Sequence, residues 1–169
     1  VDIDEEVINA SKKFLPTINV ALEDPRADVR PMDAIEFIAS SDDEFDVAIV
    51  DSTDPVEFAA GLFRSPFYRG IFKALKKDGM VVAQTESPFT DASVVKGAFK
   101  EMSAVFPIVR MCWGAMPTYP SGMWTYTIGS KTVDPADIRR PSPDGTKYYT
   151  EDIHKAAFVL PPFVKDLLK

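Results

Sequence analysis

The sequence predicts an α/β fold, a doubly wound and mostly parallel sheet with an antiparallel edge, and three observations predict it. Two short, unbroken apolar runs, 47–50 and 80–83, each stop abruptly in a polar cluster, Asp51-Ser52-Thr53-Asp54 and Gln84-Thr85-Glu86-Ser87. Runs of this length, β-branched at three of four positions in the first, read as strands buried on both faces. Segments of helical spacing alternate with such runs about four times, the pattern of a wound sheet. Finally, the apolar runs 106–111 and 123–128 are joined by a loop too short for a helical crossover, so they pair antiparallel.

Taken in order, residues 1–3 read as the end of a strand. The segment from Asp4 to Leu15 places Val7, Ile8, Phe14 and Leu15 on one helix face, with acids in its first turn, Lys12 and Lys13 late, and Pro16 as the stop. Val29 centres a short strand; Asp33 follows at its carboxyl end, and Ala34 begins the next helix. A polar, acidic loop over 40–44 leads into the central strand, which Pro55 closes because proline cannot continue it. Ser65-Pro66 is an N-cap with proline at the first helical position, and Phe67, Tyr68, Ile71, Phe72 and Leu75 form an apolar face. Lys76-Lys77-Asp78-Gly79 reads as that helix's end, with Gly79 free to take positive φ. Val94, Val95, Ala98, Phe99 and Met102 mark a third helix, and Pro117 to Gly122 a rigid turn. Beyond residue 132 the chain is polar and proline-rich to about Tyr149, with short helices expected at 151–158 and 163–168.

Composition narrows the function classes. The 169 residues are 46% apolar and 27% charged, ordinary for a globular domain with a sizeable core. No apolar stretch approaches membrane-spanning length. The lone Cys112 excludes an internal disulfide and fits a reducing compartment, so a cytoplasmic location is expected. One Cys and one His, His154, cannot build the usual zinc site, and no metal is expected. A net charge of −7 argues against nucleic acid and suits a cationic ligand. Val1-Asp2-Ile3-Asp4 has no polar lead-in and reads as a chain entered partway through a fold.

Asp51 and Asp54 attract attention because ligands of open α/β sheets bind beyond the carboxyl ends of the strands. Asp-Ser-Thr-Asp is equally good turn and cap chemistry, and the spacing alone leaves both readings open. In the same way Asp33, on spacing alone, is an ordinary helix N-cap. A mostly parallel sheet with an antiparallel edge is the Rossmann-like architecture of class I methyltransferases.

Several motifs together narrow this further. Asp51-Ser-Thr-Asp-Pro55 and Gln84-Thr-Glu86 each close a strand; Pro117-Thr-Tyr-Pro-Ser-Gly122 and Trp124-Thr-Tyr-Thr-Ile-Gly-Ser-Lys131 follow. With Val1-Asp-Ile-Asp4, Met32-Asp-Ala34 and Lys147-Tyr-Tyr-Thr-Glu-Asp-Ile-His154 through Pro161, they resemble the polyamine aminopropyltransferase family, the spermidine synthases, most of all bacterial members. The resemblance covers essentially the whole chain. Family members also carry an N-terminal β-hairpin domain and a first strand ending in a Gly-Gly-Gly-Asp-Gly-Gly type loop, and neither lies within these 169 residues. The resemblance therefore implies a fragment: a partial Rossmann-like catalytic domain over 1–131 and a C-terminal extension with short helices over 132–169.

The implied reaction moves an aminopropyl group from decarboxylated S-adenosylmethionine to putrescine, giving spermidine and methylthioadenosine. That donor is a co-substrate, and no cofactor is expected. Agmatine or cadaverine as acceptor, or a catalytically silent chain serving as a dimer partner, are the alternatives. A homodimer or homotetramer is implied for the full-length protein, and the fragment alone is expected to be inactive. By resemblance, Asp51 is the catalytic aspartate and also a diamine ligand with Asp54, Gln84 and Tyr119. Asp2 matches the ribose-binding acid, Asp33 the residue receiving the adenine amino group, and Ala34 a backbone contact beside it. Glu86 is a further diamine contact or a solvated carboxylate; Trp124 and Tyr126 read as strand packing and His154 as structural. One departure stands out: Val56-Glu57-Phe58-Ala59 replaces the family's Gly-Pro-Ala, so Phe58 either stacks on the adenine in place of proline or blocks its pocket.

Overall fold

The computed structural model describes residues 1–54 and 57–169, with the side chains of 57 and 58 left out of the description. The expected strand stop at Pro55 and the role of Phe58 lie outside the described residues and side chains. Two compact units are present, Val1–Ser41 and Asp42–Lys169. Residues 132–169 lie in the second unit, with the sheet.

In the first unit, α1 (Glu5–Phe14) starts where Asp4 accepts the Glu6 N–H at 2.9 Å, and its lysines close the last turn. No residue of α1 is buried, and Val7 and Phe14 are exposed, so its apolar stripe is uncovered within this unit. The strands expected at 1–3 and around Val29 reduce to one parallel bridge between Asp2 and Pro31. Pro31 has no N–H with which to extend a ladder. The α2 helix (Ala34–Ala39) is capped by Asp33.

The second unit runs β1 (Phe45–Val50), α3 (Ser65–Ala74), β2 (Leu75–Gln84), α4 (Ala92–Ser103), β3 (Ile108–Ala115), β4 (Met123–Ser130), α5 (Glu151–Ala157) and α6 (Pro162–Leu167). The sheet order is β1-β2-β4-β3, with β1 and β2 parallel and the other two pairings antiparallel. The α/β class and the antiparallel edge therefore stand, although the third strand runs to 115 rather than 111. Ala83 and Thr127, paired across β2 and β4, lie on the buried face, which α4 covers through Val95 against Met111 and Met123. Leu160 and Val164 complete that cluster, and the Trp113 indole N–H donates to the Val159 carbonyl at 3.1 Å, which fixes the tail to β3.

Three local expectations are corrected. β1 is not buried on both faces: Val47 is 58% and Ile49 76% exposed, while Ala48 and Val50 on the other face are half-buried, because the helices pack on its neighbours, α3 on β2 and α4 on β3 and β4. At α3 the cap residue is Arg64, whose side chain makes no cap bond; the Glu101 carboxylate of α4 takes the Ser65 N–H at 2.7 Å instead. Gly79 does not adopt positive φ. Residues 76–79 bulge out between the pairs Phe45–Leu75 and Val47–Met80, and a Cβ on Gly79 would lie 2.8 Å from the Leu75 Cβ. Close approach, not backbone handedness, requires glycine there.

Candidate active site

The site begins where β2 ends. Gln84 is 8% exposed, and its side-chain amide is engaged on every side. Its Nε2 donates to the Ser52 carbonyl at 2.8 Å and to Glu86 Oε1 at 3.2 Å. Its Oε1 accepts from the Trp124 indole N–H at 2.9 Å and from the Glu86 N–H at 3.2 Å. Next along the chain, the Thr85 hydroxyl meets those of Thr125 and Thr127 at 3.1 and 3.2 Å. Glu86 is 3% exposed with φ of 71°, the left-handed region that costs a non-glycine residue about 1 kcal/mol or more. Its carbonyl accepts from both the N–H and the hydroxyl of Thr125 at 2.9 Å, which holds it in that conformation.

Burial is the first cause of a raised Glu86 pKa; the Gln84 amide opposes it, while the neighbouring carboxylates of Asp54 and Asp91 add to it. The Asp54 charge is thus among the influences that disfavour ionisation of Glu86. Asp51, Thr53 and Asp54 are exposed at the end of β1, with Ser52 partly buried between them. The Tyr126 hydroxyl pKa is pushed up by burial first, then by Asp51, Cys112, Tyr119 and Tyr148. Asp51 and Tyr119 are thus both electrostatic neighbours of one β4 side chain.

Tyr119 stands in the turn between β3 and β4, 47% exposed, its ring 4.4 Å from that of Trp124. The turn closes through Gly122, which has φ of 66° and donates to the carbonyls of Tyr119 and Pro120 at 3.1 and 2.8 Å. Ser121 ties the turn back to β2, its hydroxyl 2.8 Å from that of Ser87. Asp51, Asp54, Gln84, Glu86 and Tyr119 all belong to the unit that carries the sheet.

Asp2, Asp33 and Ala34 belong to the first unit. Asp2 Oδ1 accepts the Asp4 N–H at 2.9 Å, and Asp33 Oδ1 the Ile35 N–H at 2.7 Å, so the cap that spacing suggested for Asp33 is present. His154 meets the Tyr149 hydroxyl at 3.1 Å. No cluster of three His, Cys, Asp or Glu among the described residues is arranged to hold a metal. No helix among them is long and apolar enough to cross a membrane.

Comparison with known proteins shows the family of the chain. The family model described as spermine/spermidine synthase domain matches residues 1–138. The chain belongs to that family. It is 51% identical to the polyamine aminopropyltransferase of Caldicellulosiruptor bescii and 52% identical to that of Bacillus subtilis, in each case over all of this chain and 62% of the relative. A crystal structure of spermidine synthase in complex with the transition state analogue AdoDATO superposes with TM-score 0.90 at 42% identity, covering 98% of this chain and 59% of that one. The spermidine synthase of Thermotoga maritima gives TM-score 0.88 at 43% identity over 99% of this chain and 58% of the other. The chain thus spans about 60% of the length of the relatives it matches.

Within this member of the spermine/spermidine synthase family, sequence reasoning missed the polar role of Trp124. Its signal was available: a tryptophan on a strand of alternating buried threonines needs a partner for its indole N–H. The two serines that join the β2 end to the tyrosine turn gave no comparable signal.

Proposed function

We propose that the protein containing this chain transfers the aminopropyl group of decarboxylated S-adenosylmethionine to putrescine, giving spermidine and methylthioadenosine. The observation that carries the reading is the gathering of carboxylates at the ends of the adjacent strands β1 and β2: Asp51 and Asp54 exposed, and Glu86 buried, its pKa raised in part by the Asp54 charge. Both substrates are cations that repel each other, and carboxylates are what would bring them together. The net charge of −7 and the names of the relatives support the same direction.

The reaction is a displacement at carbon. The amine nitrogen's lone pair forms a new C–N bond as the C–S bond breaks, and the sulfur keeps the electron pair and loses its positive charge. Free alkylammonium groups have pKa values of roughly 10, so the attacking amine must first give up a proton. Asp51, exposed at the strand end, would hold and orient that amine and accept its proton as attack proceeds. Positioning is the larger share, since a carboxylate is a weak base. Asp54, Glu86 and Tyr119 would bind the diamine, with Gln84 in the wall behind them. In the first unit, Asp2 would accept the ribose hydroxyls and Asp33 the adenine amino group, with Ala34 supplying backbone beside it. No cofactor enters the reaction, and the assembly would be a homo-oligomer.

The test is product analysis with the full-length gene product, decarboxylated S-adenosylmethionine and putrescine. Spermidine and methylthioadenosine should appear in equal amounts. Product formed only with cadaverine or agmatine would replace the acceptor. No aminopropyl product with any of the three amines, or methyl transfer from S-adenosylmethionine, would overturn the reading.

A further inference from the structure

We infer that Gln84 and Trp124 are positioning residues, a hydrogen-bonded splint that fixes the Asp51–Asp54 turn and the Glu86 carboxylate against the Tyr119 turn. The inference deepens the proposed aminopropyl transfer and rests on it. A glutamine amide has two N–H donors and two acceptor lone pairs, and at Gln84 all four are used inside the protein. The donors go to the Ser52 carbonyl and Glu86 Oε1, and the acceptor side takes the Trp124 and Glu86 N–H groups. The orientation of the amide is forced. Turned over, it would set its oxygen against a carbonyl and a carboxylate, and its NH2 against two other donors.

Nothing is left on Gln84 to receive an ammonium group. What it does reach is the backbone between the two aspartates, since Ser52 follows Asp51 directly and precedes Asp54 by two residues. It also holds the side chain and the N–H of Glu86, whose left-handed backbone needs such support. Trp124 carries the link onward: its N–H is donated to Gln84 while its ring lies against that of Tyr119. The Ser87–Ser121 pair ties the same two segments together a second time. The chain Ser52–Gln84–Trp124–Tyr119 therefore connects the end of β1, the end of β2 and the β3–β4 turn. The geometry sets these three segments relative to one another before any substrate arrives.

The test uses Gln84→Glu and Trp124→Phe, singly and together, in the full-length gene product with decarboxylated S-adenosylmethionine and putrescine. Gln84→Glu keeps an acceptor for Trp124 but loses the donors to Ser52 and Glu86. A splint predicts that its kcat falls about tenfold or more while the putrescine KM stays within about threefold. Trp124→Phe should lower kcat in the same sense by a smaller factor, and the double variant should be no slower than Gln84→Glu, because the two act as one unit. A direct amine ligand predicts the opposite. A carboxylate replacing an amide beside a cation would lower the putrescine KM, and losses in the double variant would multiply; either result overturns the inference, as does a raised KM with kcat unchanged. Should Gln84→Glu fail to fold, hydrogen exchange of the Trp124 indole N–H in the unmodified protein, assigned by the signal lost in Trp124→Phe, decides. Slow exchange of the Trp124 N–H, unchanged by putrescine, supports the splint, and fast exchange refutes it. An unmodified protein that transfers no aminopropyl group defeats the proposed function, while the exchange measurement still judges the splint.

Discussion

At the carboxyl end of β1 the chain reads Asp51-Ser52-Thr53-Asp54, and three of the four residues are exposed; at the end of β2 it reads Gln84-Thr85-Glu86-Ser87, and all four are buried. The two tetrads are similar in composition and end adjacent parallel strands, so position makes the difference. Among the described residues β1 pairs on one side only, with β2, whereas β2 lies between β1 and β4. Thr125 of β4 follows the chain past the end of β2, bonding to both Thr85 and Glu86, and nothing comparable encloses the end of β1 among the described residues. The open end leaves carboxylates available to a cation. At the closed end the Gln84 amide has its hydrogen-bonding needs met internally, and it holds the open end in place through Ser52.

The strongest way to break this contrast is to ask the 169 residues to work alone. With the free edge of β1, and Val47 and Ile49 exposed on one face, unpaired backbone and apolar surface invite association. The isolated chain is expected to aggregate or melt without cooperativity, and to make no spermidine. A sharp thermal transition by circular dichroism together with measurable product would show the edge to be harmless.

Substitutions at the open end and in the β3–β4 turn sharpen the contrast. Asp54→Ala or Tyr119→Phe should raise the putrescine KM about tenfold with a smaller effect on kcat, since the contacts proposed for them would be made already in the ground state. Steady-state kinetics across putrescine concentrations separates the two. A fall in kcat alone would assign either residue to the transition state instead.

The smallest effect concerns Glu86. Its pKa is raised in the folded protein, first by burial, so the native state holds a proton that the unfolded chain has released. Stability contributed in this way is present at acidic pH and is lost as pH rises from the ordinary carboxylate value through the folded value. Glu86→Gln should remove that slope and leave the variant relatively more stable at neutral pH than at pH 4. Melting temperatures of both proteins across that window test it, and parallel curves would mean that the carboxyl is not desolvated.

Much of this was legible in the chain. The apolar runs 47–50 and 80–83 do form strands that end at their polar clusters, β1 and β2, although burial on both faces fails for β1, where Val47 and Ile49 are exposed. The short turn before Met123 did force an antiparallel pair. What stayed hidden depends on register. Gln84 pairs with Tyr126 across the ladder, and this places Trp124 where its N–H reaches the amide; no local pattern encodes that alignment. Glu101 capping α3 from 36 residues away, and the close approach that demands Gly79, are likewise contacts between distant segments. Asp33 illustrates the converse, since its cap is local and was read directly.

The most direct test of the central claim, that chemistry resides at the open end, is Asp51→Asn in the full-length gene product. Turnover with decarboxylated S-adenosylmethionine and putrescine should fall at least about 100-fold, the low end of what a positioned acid–base group contributes. Methylthioadenosine should still bind within about threefold of the unmodified protein, because the nucleoside contacts are assigned elsewhere. Turnover within a few-fold of the unmodified enzyme would contradict the assignment of Asp51.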